Sequence, residues 1–186
     1  SSLSQITLGK SIQTIDSYTF EGCTSLAKVV IPDSVQTIGD YAFSSCVSLS
    51  KVTIPSHLKS VGMYAFYGCE NLTSIIIPKS VKKIESGAFC KCKGLADKNG
   101  FVIIKNVLYS YYGDTENVTI PNGITSIPIY TFCGCQSLTS ITIPNGVTSI
   151  GDYAFNGCES LKSITIPDSV KGIGERAFED CESLKA

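Results

Sequence analysis

The residues with the clearest chemical potential in this 186-residue chain are its nine cysteines. Seven of them follow a phenylalanine by three positions, and successive pairs are 23 residues apart except for one interval of 43. The pairs are Phe20–Cys23, Phe43–Cys46, Phe66–Cys69, Phe89–Cys92, Phe132–Cys135, Phe155–Cys158 and Phe178–Cys181. Thiols can form disulfides or bind zinc. Because these seven recur in step with an apolar residue, we interpret them as a ladder of small buried side chains.

The two remaining cysteines, Cys90 and Cys133, each follow directly after a phenylalanine and lie on either side of the long interval. If the extra residues loop out, the flanking repeats stack directly, and equivalent Cα atoms lie about 4.7–4.9 Å apart. That spacing is within the range of a disulfide. The sequence therefore predicts a Cys90–Cys133 disulfide, with a zinc site that also uses Cys92 and Cys135, or simple reduced thiols, as the alternatives.

Catalytic chemistry has little support in the sequence. His57 is the single histidine, and no nucleophile and carboxylate accompany it in the pattern of a hydrolase triad. The glycines mostly follow the repeat and do not form a phosphate-binding loop. We therefore expect no enzymatic activity, no cofactor and no catalytic metal.

The elements that position these side chains come from a repeat that reads Leu-x-x-Ile-x-Ile-Pro-x-x-Val-x-x-Ile-Gly-x-x-Ala-Phe-x-x-Cys. A unit this short cannot bury its own apolar face, so it must stack on its neighbours. Repeats cover residues 3–94 and 115–183, with an insert over residues 95–114. We predict one solenoid domain over residues 1–186, as part of a longer array.

Within one repeat, Val29 and Ile31 alternate with other residues in the pattern of a short strand, which Pro32 ends. The spacing of Phe43 and Cys46 suits a short helical turn with both side chains on its inner side. These features predict an α/β-type solenoid with a parallel sheet on one face, short strands and short helical turns. In the insert, two apolar runs around Lys105-Asn106 predict a β-hairpin.

The repeat resembles the BspA-like, or Treponema-type, leucine-rich repeat family. The resemblance rests on Ile-Pro, Val-x-x-Ile-Gly and Ala-Phe-x-x-Cys, as in Ile143-Pro144, Val147 to Gly151 and Ala154 to Cys158. It implies a secreted or surface-attached protein that binds host or cell-surface proteins, with an extracellular or cell-surface location. A structural stalk that presents another domain is the alternative function.

Candidate binding residues follow from the outward strand positions, four and two residues before each proline, because a solenoid sheet offers an extended surface. This strip is rich in Ser and Thr, which strand propensity alone would also explain. The strand candidates are Lys28, Lys51, Thr53, Ser74, Asn117, Thr119, Ser140, Thr142 and Thr165. Three tyrosines that interrupt the repeat pattern are added to them: Tyr109, Tyr111 and Tyr112. A second polar strip, through Lys59, Lys82 and Lys83, is interpreted as a solubility feature.

Charge and hydropathy exclude two classes of partner. The net charge is −1, charged residues make up 17% of the chain, and no basic run occurs, so nucleic-acid binding is not expected. No apolar stretch approaches the roughly 20 residues of a membrane-spanning helix, so no membrane insertion is expected from this segment. A protein ligand remains the expected partner.

Overall fold

The computed structural model describes residues 3–185, and the chain forms two compact units, Ser1–Ala96 and Asp97–Ala186. The predicted single domain is therefore described unit by unit. In each unit the 23-residue repeats stack as successive turns, and each turn contributes two short strands to two parallel sheets. We call the strands that precede the Ile-Pro motif the front sheet, and those near the Ile-Gly motif the second sheet.

In the first unit the front sheet contains β2 and β4, extended by single bridges from Gln5 to Lys28 and from Lys51 to Ser74. The second sheet has the order β1-β3-β5-β6. Equivalent residues of neighbouring repeats lie side by side, as in the pairs Lys28↔Lys51 and Ile38↔Val61. The strands are β1 Thr14–Ile15, β2 Lys28–Val30, β3 Thr37–Ile38, β4 Lys51–Thr53, β5 Ser60–Val61 and β6 Lys83–Ile84.

The second unit repeats this plan and adds an antiparallel strand. Its front sheet has the order β13-β11-β9, and its second sheet has the order β14-β12-β10-β8-β7. The strands are β7 Phe101–Ile104, β8 Val107–Tyr111, β9 Asn117–Thr119, β10 Ser126–Ile127, β11 Ser140–Thr142, β12 Ser149–Ile150, β13 Ser163–Thr165 and β14 Gly172–Ile173.

The predicted parallel-sheet solenoid is confirmed, but two details differ from the expectation. The repeats form two parallel sheets, whereas one was predicted. The segments expected to be short helices are instead runs of turns, in which a backbone amide donates to the carbonyl three residues earlier. Within residues 3–185 the one helix is a 3₁₀ turn, Lys93–Leu95. No helix in that part of the chain is long and apolar enough to cross a bilayer.

The core of each unit is a column of stacked phenylalanines. In the first unit the rings of Phe20, Phe43, Phe66 and Phe89 stack with centroids 5.1, 5.3 and 5.4 Å apart. In the second unit Phe155 stacks between two others at 5.0 and 5.3 Å. Each ring covers the face of the next, so every repeat supplies the apolar wall that its neighbour lacks.

The backbone at these rings is also joined from repeat to repeat. The amide of Phe43 donates to the carbonyl of Ala65, 2.8 Å away, and the pattern recurs at Phe66 and Ala88. The glycine of the Ile-Gly motif permits this close stacking. A Cβ atom added to Gly62 would lie 2.5 Å from the carbonyl carbon of Gly39, which leaves no room for a side chain.

The insert is a β-hairpin that lies within the stack. β7 and β8 pair antiparallel across Lys105 and Asn106, which both have positive φ. β8 also pairs parallel with β10, and the amide of Tyr111 donates to Thr131, as a repeat phenylalanine donates to the next alanine position. The ring of Tyr111 lies 5.3 Å from that of Phe132. The hairpin therefore takes the place of a turn beside the fifth repeat, which corrects the assumption that it loops out.

We expect Phe66→Ala to destabilise the first unit strongly, because Phe66 is fully buried between two stacked rings. A buried Phe→Ala substitution typically costs about 3–5 kcal/mol. The exposed Thr53→Ala should change stability by no more than about 0.5 kcal/mol. Urea unfolding followed by circular dichroism measures both. Equal midpoints for the two variants would contradict the phenylalanine column as the core.

Candidate functional site

The outer face of the front sheet in the first unit combines cationic and aliphatic side chains. Lys28 and Lys51 lie in register on neighbouring strands, and Val30 and Thr53 form the adjacent column. Their strands are fixed from below by alternate side chains that are buried, so the outward residues are held in two straight rows. Val30 is 67% exposed and Ile76 is 84% exposed, which is unusual for large apolar side chains.

A cavity of about 840 Å³ opens at the proline end of these front strands. Lys28, Val30 and Thr53 contribute to its wall, together with residues of the post-proline turns such as Asp33 and Ser56. The cavity gives the front face of the first unit a concave region that joins charged, hydroxyl and aliphatic groups. These are the features of a surface that could accept a protein side chain.

The front face of the second unit is uniform and uncharged. Its outward rows are Asn117, Ser140 and Ser163, and Thr119, Thr142 and Thr165, all in register. The hydroxyl of Ser140 lies 2.5 Å from the side-chain oxygen of Asn117, to which it donates. The strand candidates of both units thus lie on the surface, and all are exposed except Ser140, which is half-buried.

The three insert tyrosines are not the exposed contact residues that were expected. Tyr109 and Tyr111 are buried, with 2% and 7% of their surfaces exposed, and Tyr112 is half-buried. The reason is the place of the hairpin in the stack, where Tyr111 takes the position of a repeat phenylalanine. The hydroxyl of Tyr111 is hydrogen-bonded to the hydroxyl of Thr115, with the two oxygens 2.9 Å apart.

The ladder cysteines are joined to the core by hydrogen bonds that the sequence did not reveal. The thiol of Cys69 donates to the carbonyl of Phe43 in the preceding repeat at 3.2 Å, and that carbonyl also accepts the amide of Cys46. The same thiol bond occurs at four further positions: Cys46 to Phe20, Cys92 to Phe66, Cys158 to Phe132 and Cys181 to Phe155. Burial raises the pKa of the Cys46 thiol from 9.0 to about 12, so it stays protonated well above neutral pH.

The Cys90–Cys133 disulfide stays a prediction, because Cys90 belongs to the first unit and Cys133 to the second. Cys90 is buried, which raises its pKa to about 12, whereas Cys133 is exposed and donates to the side-chain oxygen of Asn156 at 3.5 Å. The prediction assumed that the repeats flanking the insert stack directly. Instead the hairpin strand β8 is the neighbour of the fifth repeat. Residues 3–185 contain no cluster of three or more His, Cys, Asp or Glu arranged for a metal ion.

The repeat motif identifies the family of this chain. The model for the BspA-type leucine-rich repeat region matches residues 1–100 and 102–186 in six copies. The chain belongs to the BspA-type leucine-rich repeat family. No curated protein matches it in sequence.

Solved structures of leucine-rich repeat proteins share the fold. The chain is 29% identical to the leucine-rich repeat protein of T. pallidum, with a TM-score of 0.53 over 98% of this chain and 76% of that one. It is 32% identical to a leucine-rich cell surface protein of Faecalibacterium prausnitzii, with a TM-score of 0.57 over 91% of this chain and 61% of that one. The pneumococcal vaccine antigen PcpA is 24% identical, with a TM-score of 0.58 over 88% and 50%. The chain thus spans less than two thirds of the last two structures.

We expect thiol reagents to distinguish Cys133 from the ladder in this leucine-rich repeat protein. Native protein treated with iodoacetamide at pH 8 should be modified at Cys133, which is exposed, before Cys46, Cys69 or Cys158, which are buried. Mass spectrometry of peptides locates the label, and protein unfolded in guanidinium provides the fully labelled control. If Cys133 stays unlabelled after unfolding without reductant, it is in a disulfide, and the thiol assignment is wrong.

Alkaline pH should destabilise the protein through its buried thiols. The pKa of Cys46 is raised from 9.0 to about 12 by burial. The folded state therefore keeps a proton that the unfolded chain loses, so this contribution is complete below pH 9 and is lost as the pH rises towards 12. The urea concentration at the unfolding midpoint should be highest at pH 7, slightly lower at pH 9 and lowest at pH 10.5. The fall should be smaller in Cys46→Ala, and an equal fall would contradict the role of this thiol.

Proposed function

We propose that this protein binds a protein partner through the front face of its first unit and acts in adhesion at a cell surface. The observation that carries the proposal is the pair of exposed aliphatic residues, Val30 and Ile76, on the same sheet face as Lys28 and Lys51. Exposed apolar side chains bordered by polar ones are typical of protein interaction surfaces. The family supports this proposal, since leucine-rich repeats are a scaffold for protein interactions.

The charges on this face indicate the chemistry of the partner. Within residues 3–185, neither Lys28 nor Lys51 is part of an ion pair, so both ammonium groups are available to a ligand. A complementary surface would present carboxylates opposite the two lysines and apolar side chains opposite Val30 and Ile76. Charge complementarity of this kind supplies specificity and association rate, while the apolar contacts supply affinity.

The extracellular or cell-surface location is also a proposal. It is supported by the similarity to the leucine-rich cell surface protein of Faecalibacterium prausnitzii, which has the highest sequence identity among the three solved structures described above. The ladder cysteines do not contradict this location, because five of the seven are buried and the other two, Cys135 and Cys181, are half-buried. We propose binding, and not catalysis, as the role of this surface.

A stalk that presents another domain is the second candidate function. The observation that favours it is the front face of the second unit, whose outward residues are all small hydroxyl or amide side chains. Such a face lacks the aromatic and Arg residues that supply most binding energy at interfaces. The two functions can be divided between the units, with binding in the first and spacing in the second.

The test is binding of purified protein to an immobilised panel of extracellular host proteins. The variant Val30→Ser/Ile76→Ser and the variant Lys28→Glu/Lys51→Glu should each weaken binding to a recognised panel member by about tenfold or more, the range expected for interface hot spots. Thr142→Ser/Thr165→Ser and Lys162→Glu/Lys171→Glu in the second unit are the matched controls and should bind as the wild type does. Equal loss in all four variants, or no binding of the wild type, would favour the stalk.

A further inference from the structure

A second concave surface in the first unit lies away from the front sheet, on the post-proline turns of three consecutive repeats. It is a groove of about 630 Å³. Its lining residues share a polar or charged character: Asp33, Ser34, Gln36, His57, Lys59, Ser80 and Lys82. We call it the turn groove. No proposed role of the front face depends on it, because the two concave surfaces share only Asp33 and Ser34.

One side of the turn groove is a column of cationic and amide side chains. The amide of Lys59 donates to the carbonyl of Gln36 at 2.8 Å, and the amide of Lys82 donates to that of Lys59 at 2.9 Å. These bonds place the two lysines on adjacent turns, about 4.8 Å apart at the backbone. Both side chains are exposed, and neither is part of an ion pair within residues 3–185. The groove therefore has two neighbouring positive charges that the protein does not neutralise.

The other side of the turn groove carries hydroxyl and imidazole groups. His57 is exposed, and its Nδ1 lies 3.1 Å from the hydroxyl oxygen of Ser56. The hydroxyl of Ser34 donates to the carbonyl of Ile12 at 2.6 Å, whereas the equivalent hydroxyl of Ser80 is buried without a hydrogen-bond partner. An unsatisfied buried hydroxyl costs free energy and calls for an explanation. Ser80 is a lining residue of the turn groove, so rotation of its side chain would offer this hydroxyl to an anion bound there.

The charge of the first unit favours an anionic ligand. Although the whole chain carries −1, the first unit has nine basic and six acidic residues and so a formal charge of +3. The second unit has six basic and ten acidic residues and a formal charge of −4. This net positive charge attracts anions towards the first unit, although Asp33 is among the lining residues of the turn groove.

We propose that the turn groove binds the sulfate groups of a sulfated polysaccharide. Ammonium, imidazole, amide and hydroxyl donors are the groups that bind a tetrahedral oxyanion. The groove is open and follows the repeat direction, so it fits a chain with regularly placed sulfates. Its lining residues include no Phe, Tyr or Trp side chain on which a base could stack and no exposed aliphatic side chain that could enter a lipid layer.

The experiment measures binding of the whole protein to heparin, with chemically desulfated heparin, inorganic sulfate, inorganic phosphate and phosphatidylserine vesicles as the other arms. The wild type should bind heparin and should not bind its desulfated form. Lys59→Gln/Lys82→Gln should weaken heparin binding about tenfold, as expected for two lost exposed ion pairs. Lys162→Gln/Lys171→Gln removes the same charge in the second unit, and Lys171 occupies the repeat position of Lys59 and Lys82.

The matched variants decide between the turn groove and general attraction to a polyanion. Equal losses in the two double variants would overturn the proposal, as would a larger loss in Lys28→Gln/Lys51→Gln on the front face. Binding of vesicles as strong as that of heparin, or competition by phosphate but not by sulfate, would also overturn it. Competition by inorganic sulfate at millimolar concentration, together with loss only in Lys59→Gln/Lys82→Gln, would support the groove. All three variants change exposed residues, and unchanged thermal midpoints show that they remain folded.

Discussion

The hydrogen bonding of the phenylalanine carbonyl is the interaction on which each stack depends. At Phe43 this one oxygen accepts the amide of Cys46 from its own repeat and the thiol of Cys69 from the next. The amide of the same phenylalanine is bound to Ala65 in the next repeat. Backbone, thiol and ring are thus joined across each boundary between turns. Because these partners are 22 to 26 residues apart, a change of repeat length would break all three contacts together.

The sequence predicted those parts of the fold that depend on side chains repeated at one spacing. Phe66, Cys69 and Gly62 are each required at their positions by a contact with a neighbouring turn, so their spacing carries the architecture. The second sheet was not predicted, because strands of two residues such as Thr14–Ile15 are too short to show an alternating pattern. The thiol bonds were missed because a buried cysteine has the same pattern whether or not its thiol is bonded.

The insert shows the limit of reasoning from spacing. Its two strands and its turn follow from local residues, but its place in the stack does not. Phe132 lies five positions after Ile127 in a regular repeat, whereas Tyr111 lies only three positions after Leu108. Because this segment is shorter, the insert does not show the 23-residue spacing in the sequence. Its backbone contacts with the fifth repeat are nevertheless equivalent to those between regular repeats. The unexpected burial of Tyr109 and Tyr111 follows from that single misplacement.

For the candidate site, the outward rows of Lys28 and Thr142 could be predicted because strand alternation decides which side chains face outward. The turn groove could not, since it needs the turns of three repeats together, and Lys59 and Lys82 look like ordinary solvated residues in isolation. What distinguishes them is that they line one groove together with Ser80 in a unit of net positive charge.

The hairpin also affects which strand contacts of the second unit form most readily during folding. β7 and β8 are joined by two residues, whereas the parallel pair β8 and β10 and the pairs beyond it bring together residues 19 to 23 positions apart. The entropy lost on closing a chain segment grows with its length, so the antiparallel pair is the least costly strand contact to form. It offers the later strands an edge already in place. One irregular segment thereby supplies a local starting point that identical turns, which depend on distant partners, do not contain.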